Sequence, residues 1–292
     1  MKDNAKDGMT KDRAINDNVN DIIIKDEFLA YLFVPATRLD RVAKAFDSGA
    51  DAVIIDLEDA VESASKPVVR QALKDFDAKT DRHYWLRINA AHTADYAHDV
   101  ALIESLDHVA GVLLPKSESA LSVTALHQAT KLPVVAVVET ARGVLGIGEI
   151  ASAKGLFAMT YGCLDLSKAL GITLGTPSAQ AVLDKIRVDL LLHSSANDLH
   201  APIETIFADF KDVQGVANFA KCAQDFGFGG QLLIHPSQVA PIKDATQPSD
   251  EMLEFARRVL QEYEQTGRAV FSVQGKMVDL PVIDWAKKLL NH

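Results

Sequence analysis

From Tyr31 onward, short apolar runs rich in β-branched residues alternate with longer stretches whose apolar positions recur every three or four residues. The first pattern is that of buried strands, the second that of helices laying one face on a sheet. Eight runs read as strands, at 31–36, 52–58, 84–89, 111–116, 133–139, 155–162, 202–209 and 230–235, with helices predicted between them at 39–47, 66–76, 178–195 and 213–225. Eight successive βα units predict an α/β fold, a parallel sheet closed into a (β/α)₈ TIM barrel. A doubly wound open sheet has the same order of elements, but it would not bring every strand end to one point. No repeat beyond this alternation is visible.

The strand ends carry the more specific signal. The first run ends in Val34-Pro35, the second passes into Asp56, Glu58 and Asp59, and the third reaches Arg87 and Asn89. Lys116 ends the fourth and Glu139 the fifth; Asp165 follows the sixth, Asp209 ends the seventh and His235 the eighth. In a barrel these positions meet at the C-terminal mouth, where active sites of this fold lie. Past His235 the rhythm changes. A helix is expected over 250–265, then an exposed, glycine-marked segment over 272–281 suited to a lid, then a last helix. The organisation expected is an N-terminal arm over 1–25, a barrel over 26–245, and C-terminal helices with the lid over 246–292.

Charge and composition narrow the setting. A net charge of −10 argues against nucleic-acid binding, which needs clustered Lys and Arg. Two cysteines, Cys163 and Cys222, make neither a disulfide framework nor a zinc site and suit a reducing, cytoplasmic location. No apolar run is long enough to span a membrane, and the polar, Lys- and Asp-rich start lacks signal-peptide architecture.

Several side chains at the strand ends carry candidate chemistry, each with a structural alternative. Glu139 and Asp165, on neighbouring strand ends, form the incomplete oxygen shell that Mg²⁺ prefers, or else cap the helices that follow them. Arg87, within the apolar Trp85-Leu86-Arg87-Ile88, needs an anion: a substrate carboxylate, or Asp56 or Glu58 on the next strand. Lys116 is either a Schiff-base lysine, which requires a lowered pKa, or a counter-charge to the acids of the mouth. His235 is a general base, a cap or a packed histidine, the structural roles being favoured.

Seven segments occur in order at these ends and in the lid: Leu32-Phe33-Val34-Pro35-Ala36, Ile55-Asp56-Leu57-Glu58-Asp59-Ala60-Val61, Leu86-Arg87-Ile88-Asn89-Ala90, Leu114-Pro115-Lys116-Ser117-Glu118, Val138-Glu139-Thr140-Ala141-Arg142-Gly143, Ile234-His235-Pro236-Ser237-Gln238 and Gly275-Lys276-Met277-Val278-Asp279. With them the chain resembles, from about Tyr31 to Leu290, the citrate lyase beta subunit and its stand-alone relatives within the HpcH/HpaI aldolase and malyl-CoA lyase superfamily.

The resemblance implies a magnesium-dependent carbon–carbon lyase. It would cleave or form a 3-hydroxyacyl-CoA thioester such as malyl-, citramalyl- or citryl-CoA, giving an acyl-CoA and a 2-oxo acid such as oxaloacetate, or an acetoacid. It gives Mg²⁺ to Glu139 and Asp165 and the oxo-acid carboxylate to Arg87, with Glu58 and Asp59 supporting the metal's waters and Arg87. Phe33, Arg38 and Lys44 match residues that contact the coenzyme A nucleotide. Asp279 matches a lid acid/base residue that enters the neighbouring subunit's site, commonly in a homotrimer. Two other readings are a class II aldolase acting on free 4-hydroxy-2-oxo acids and a beta-type subunit that needs an acyl-carrier partner. One departure stands out: many relatives read Gly-Ala-Glu-Asp where this chain reads Gly162-Cys163-Leu164-Asp165.

Overall fold

Eight parallel strands close on themselves in chain order in the computed structural model, which describes residues 28–290. They are β1 (Leu29–Pro35), β2 (Ala52–Asp56), β3 (Tyr84–Arg87), β4 (Val109–Leu114), β5 (Val134–Val138), β6 (Leu156–Tyr161), β7 (Ile203–Glu204) and β8 (Gly230–Leu233). Closure is made by β8 against β1, with Leu29 opposite Gly230 and Leu32 opposite Leu233. This removes the two edges that an open sheet would leave, so the fold is the (β/α)₈ barrel. The arm expected over 1–25 lies outside the described residues.

Alternation along the strands sorts the core into two layers. Leu29, Tyr31, Ile54, Trp85, Leu113 and Val135 pack with other strand residues and with Ile206 of the loop after β7, and fill the barrel. Their neighbours Ala30, Leu32, Val53, Leu86 and Val112 face the helices and join Leu73, Leu126, Ile186 and Leu190 in the larger outer layer. The helices are built as the sequence suggests. Pro177 opens the helix Pro177–Ala196 behind the Thr176 cap, and Asp212 caps Val213–Asp225.

The strands stop short of the expected ends, because the last one to five residues of each run turn into the βα loops. The largest difference is at the seventh strand, which is only Ile203–Glu204. Asp209 therefore does not end a strand; it is exposed and accepts a hydrogen bond from the Lys211 backbone. The ionisable strand-end residue there is Glu204, fully buried.

The chain divides between Ala245 and Thr246 into two units. In the second, helix Asp250–Thr266 and helix Leu280–Leu289 pack around Val259, Val273, Val278 and Ile283. The segment read as an exposed loop is instead an antiparallel hairpin, β9 (Phe271–Val273) and β10 (Lys276–Val278). Gln274 and Gly275 turn it with φ of 52° and 77°, the left-handed pair of a two-residue hairpin turn. Asp279 follows directly as the N-cap of the last helix, its Oδ1 accepting from the Val282 backbone at 3.5 Å.

Candidate active site

At the C-terminal mouth of the barrel lies a cavity of about 440 Å³ lined by residues from the ends of β1, β2, β3, β5, β6, β7 and β8. Phe33, Asp59, Arg87, Glu139 and Asp165 all face it, whereas Arg38, Lys44 and Asp279 are not among its lining residues. Arg38 forms a two-bonded ion pair with Asp40, at 2.9 and 2.7 Å, on the 3₁₀ turn after β1, and Lys44 is exposed on helix Val42–Asp47. A second cavity, of about 430 Å³, lies among the outer helices Lys66–Asp77 and Ala94–Ile103, away from the strand ends.

The two acids read as metal ligands are not helix caps. The helix after β5 is capped by Thr140, whose hydroxyl accepts from the Gly143 backbone at 3.0 Å, and the helix after β6 starts at Gly162 with no side-chain cap. Glu139 is buried and accepts a 2.9 Å hydrogen bond from the Lys116 backbone, while Asp165 sits in the first turn of helix Cys163–Leu170, 40% exposed toward the mouth. Between them stands the Lys116 ammonium, 3.7 Å from Glu139, 3.4 Å from Asp165 and hydrogen-bonded to Glu58 at 2.6 Å. Burial lowers the affinity of Lys116 for its proton, but the bond and charge of Glu58 with the charge of Glu139 outweigh it and raise its pKa. That is the counter-charge role; a Schiff-base lysine needs the opposite shift. Its backbone is held at a φ of 49°, a strained value for a side-chain-bearing residue.

Burial, with the nearby charge of Glu58, pushes the Glu139 carboxyl up to about 7, against the pull of Lys116. Glu58 is raised for the same first reason, only partly offset by Arg87 and Lys116, and its second oxygen lacks a hydrogen-bond partner. These carboxylates sit close together in a poorly solvated place, and a divalent cation is the group that relieves such crowding. The fit also shows at Gly162. A Cβ on this residue would lie 2.3 Å from Glu139 Oε2, so the bare backbone leaves the carboxylate its space. Among the described residues no group of three or more His, Cys, Asp or Glu side chains is placed to hold a metal ion, so the protein offers at most this pair. The pair therefore suits an open Mg²⁺ site completed by water and substrate oxygens.

Arg87 adopts the structural pairing, one of its two readings, and its Nη1 is left with an ion pair but no hydrogen bond. Its Nε and Nη2 each donate to Asp56 at 2.7 Å, Nη1 lies 3.4 Å from Glu58, and the Phe33 ring stands 4.8 Å from the guanidinium. Burial works against its charge, but the bonds and charge of Asp56 hold it protonated. Asp56 thus orients the arginine toward the cavity. His235 caps the turn Pro236–Gln238 through Nδ1 and stacks on Phe210 at 4.4 Å, as the structural reading held. The Cys163 thiol is buried, which raises its pKa and disfavours the nucleophilic thiolate.

The sequence reading did not single out a buried trio beside the mouth. Glu204 pairs with Arg187 Nε at 2.8 Å and bonds the Tyr161 hydroxyl, and Tyr161 and Thr205 line the cavity. The available signal was an acid between Ile203 and Thr205 and an arginine within an otherwise leucine-rich helix face.

A family model, HpcH/HpaI aldolase/citrate lyase, matches residues 29–236. A "Citrate lyase subunit beta-like protein" of Mycobacterium tuberculosis is 40% identical over 90% of this chain and 94% of its own length. A "(3S)-malyl-CoA thioesterase" of Cereibacter sphaeroides is 31% identical over 86% of this chain and 90% of its own. Among solved structures, the Mycobacterium tuberculosis CitE protein in complex with magnesium, acetoacetate and coenzyme A superposes with a TM-score of 0.80. It is 38% identical and covers 91% of this chain and 97% of its own.

Proposed function

The chain belongs to the HpcH/HpaI aldolase/citrate lyase family, and from this we propose that it is a magnesium-dependent carbon–carbon lyase acting on a 3-hydroxyacyl-CoA thioester. The observation that carries the reading is the meeting of Arg87, Glu139 and Asp165 in one cavity at the barrel mouth. The magnesium and coenzyme A of the similar CitE complex support it.

Cleavage breaks the bond between the α and β carbons. The β-hydroxyl gives up its proton and becomes the ketone of a 2-oxo acid, and the electron pair of the broken bond passes to the α carbon as a thioester enolate, which takes up a proton. Glu139 and Asp165 would hold Mg²⁺, which when bound would supply Lewis-acid charge to the oxygen that becomes the ketone. The Nη1 side of Arg87 holds the substrate carboxylate, with Asp56 fixing its plane. Lys116 anchors Glu58 beside Arg87 and balances the acids around it. Phe33 forms the wall against which Arg87 stacks, and Asp59 faces the cavity, where it would order water around the metal. Asp279 delivers the proton to the enolate from a neighbouring subunit of a homotrimer, and Arg38 and Lys44 receive the nucleotide end of coenzyme A.

Incubation with malyl-CoA and citramalyl-CoA, beside a free 4-hydroxy-2-oxo acid, with Mg²⁺ or a chelator, tests this. The expected products are an acyl-CoA and an oxo acid, only with Mg²⁺. Free coenzyme A as the first product would mark a thioesterase, and turnover of the free acid alone would mark an aldolase. Co-expressed Asp279→Ala and Arg87→Lys chains, each inactive alone, are expected to regain part of the activity in mixed oligomers.

A further inference from the structure

The lining of the mouth is divided by polarity around the ring. Every charged lining residue comes from the ends of β2, β3 and β5 or from the first turn after β6, and Arg87 is the only cation lining the cavity among the described residues. The rest of the circle is uncharged: apart from Tyr161, Cys163 and Thr205 at the ends of β6 and β7, it is mainly hydrocarbon. Leu164 follows β6, Ile206 follows β7, Leu232 and Ile234 belong to the end of β8, and Phe33 and Pro35 end β1. Because β8 closes on β1, these six form one continuous arc. Two of them hold apolar surface in the open: Leu164 is 54% exposed and Ile234 40%. Lys116, the other cation of the mouth, reaches from the end of β4 to Glu58, Glu139 and Asp165, so its charge is already matched by three acids.

We propose that this arc selects the oxo acid: the chain takes monocarboxylic 2-oxo acids whose carbonyl bears an uncharged alkyl group, methyl or ethyl, and rejects those bearing a second carboxylate. The inference rests on the lyase reading and deepens it. Arg87 takes the single carboxylate, and the carbonyl oxygen faces Glu139 and Asp165. The remaining substituent is then directed at the arc, where an alkyl group gains by leaving water. A second carboxylate there would lose its hydration with no uncommitted cation to meet it, since Arg87 is taken by the first carboxylate and Lys116 by Glu58, Glu139 and Asp165. Leu164 contributes directly, since it places a branched hydrocarbon beside Asp165 where many relatives carry an acid. The substrate in the cleavage direction is accordingly a 3-hydroxyacyl thioester with an alkyl branch at the hydroxyl-bearing carbon.

The test is calorimetric binding of pyruvate, 2-oxobutyrate and freshly dissolved oxaloacetate to the full chain with Mg²⁺ and without coenzyme A. Leaving out the thioester ensures that only the oxo acid meets the wall. The expected order is 2-oxobutyrate tighter than pyruvate by about fourfold, the value of one buried methylene, with oxaloacetate weaker than both. Leu164→Lys, or Ile234→Lys at the second exposed position, is expected to reverse the order of pyruvate and oxaloacetate. Oxaloacetate bound as tightly as pyruvate by the unaltered chain would overturn the inference, as would 2-oxobutyrate bound no tighter than pyruvate. A wall serving only the thioester arm would give that second result. Binding of none of the three acids would overturn the lyase reading, and this inference with it.

Discussion

A carboxylate can be held ready for a cation only if its neighbours leave it room, and at Glu139 that room is made by Gly162. Its φ of −98° and ψ of 96° are open to alanine, so substitution there acts through space and not through backbone strain. With Oε2 at 2.3 Å and the Glu139 Cβ at 2.9 Å from the added methyl, the carboxylate must swing aside and, since no rotation moves its Cβ, the backbone at the end of β5 must also give. Gly162→Ala is expected to weaken Mg²⁺ binding on the order of 10- to 100-fold, as when a ligand loses its supporting group. Thermal stability should fall as well, by about 1–3 kcal/mol for the overpacking, with the melt still cooperative. A calorimetric Mg²⁺ titration beside a melting curve reads both, and unchanged affinity would show that Glu139 is not a ligand. The residue types of the mouth were legible in the sequence, because acids, Arg87 and Lys116 each broke an apolar run. Their pairing was not. Nothing in the spacing tells that Asp56, not Glu58, takes the arginine's two-bonded edge, or that Lys116 reaches from β4 to Glu58.

At the level of elements, all eight strands were visible because unbroken apolar runs have no other use in an alternating chain. Their ends were not, since the loop residues that build the mouth continue the same apolar pattern. The short β7 is the clearest case, its run carried past Glu204 by Ile206 and Phe207, which pack from the loop. The hairpin of β9 and β10 escaped for the opposite reason: only Val273 and Val278 are buried in it, too few for a period to show. Around β7 the buried Glu204–Arg187 pair joins the sheet to helix Pro177–Ala196. Arg187→Leu leaves Glu204 charged and fully buried, an expected loss of about 3–5 kcal/mol in denaturant unfolding. Replacing both by leucine should recover most of it, and equal loss in the double variant would refute the pairing argument. The approach to β7 also carries His200, stacked on Phe157 of β6 at 4.3 Å. Burial lowers its pKa below the usual 6.5, so the folded state resists its protonation. Its effect on stability is absent above about pH 6.5 and becomes a penalty as pH falls from there toward the lowered value. The fall in urea midpoint from pH 7 to 5 should be shallower in His200→Gln than in the unaltered chain, and parallel curves would refute it.

At the scale of the whole molecule, two units with separate cores imply a division of labour that can be cut. The ring of eight strands is closed, so it presents no edge that the second unit must cover, and its layers are filled by residues before Thr246. The second unit buries Val259, Val273, Val278 and Ile283 among its own helices and hairpin. The proposed metal pair and Arg87 belong to the first unit and the proposed proton donor Asp279 to the second, so on this reading binding and proton delivery are separable. A chain ending at Pro248 keeps helix Val239–Thr246 whole. It is expected to retain a cooperative melt and to bind Mg²⁺ with a 2-oxo acid as the full chain does, while thioester turnover falls as far as in Asp279→Ala. Loss of the melt would show that the barrel depends on the second unit for folding. Full turnover by the shortened chain would instead take the proton transfer away from Asp279 and assign it to a residue of the barrel, with Glu58, one of whose buried oxygens accepts no hydrogen bond, the first to substitute.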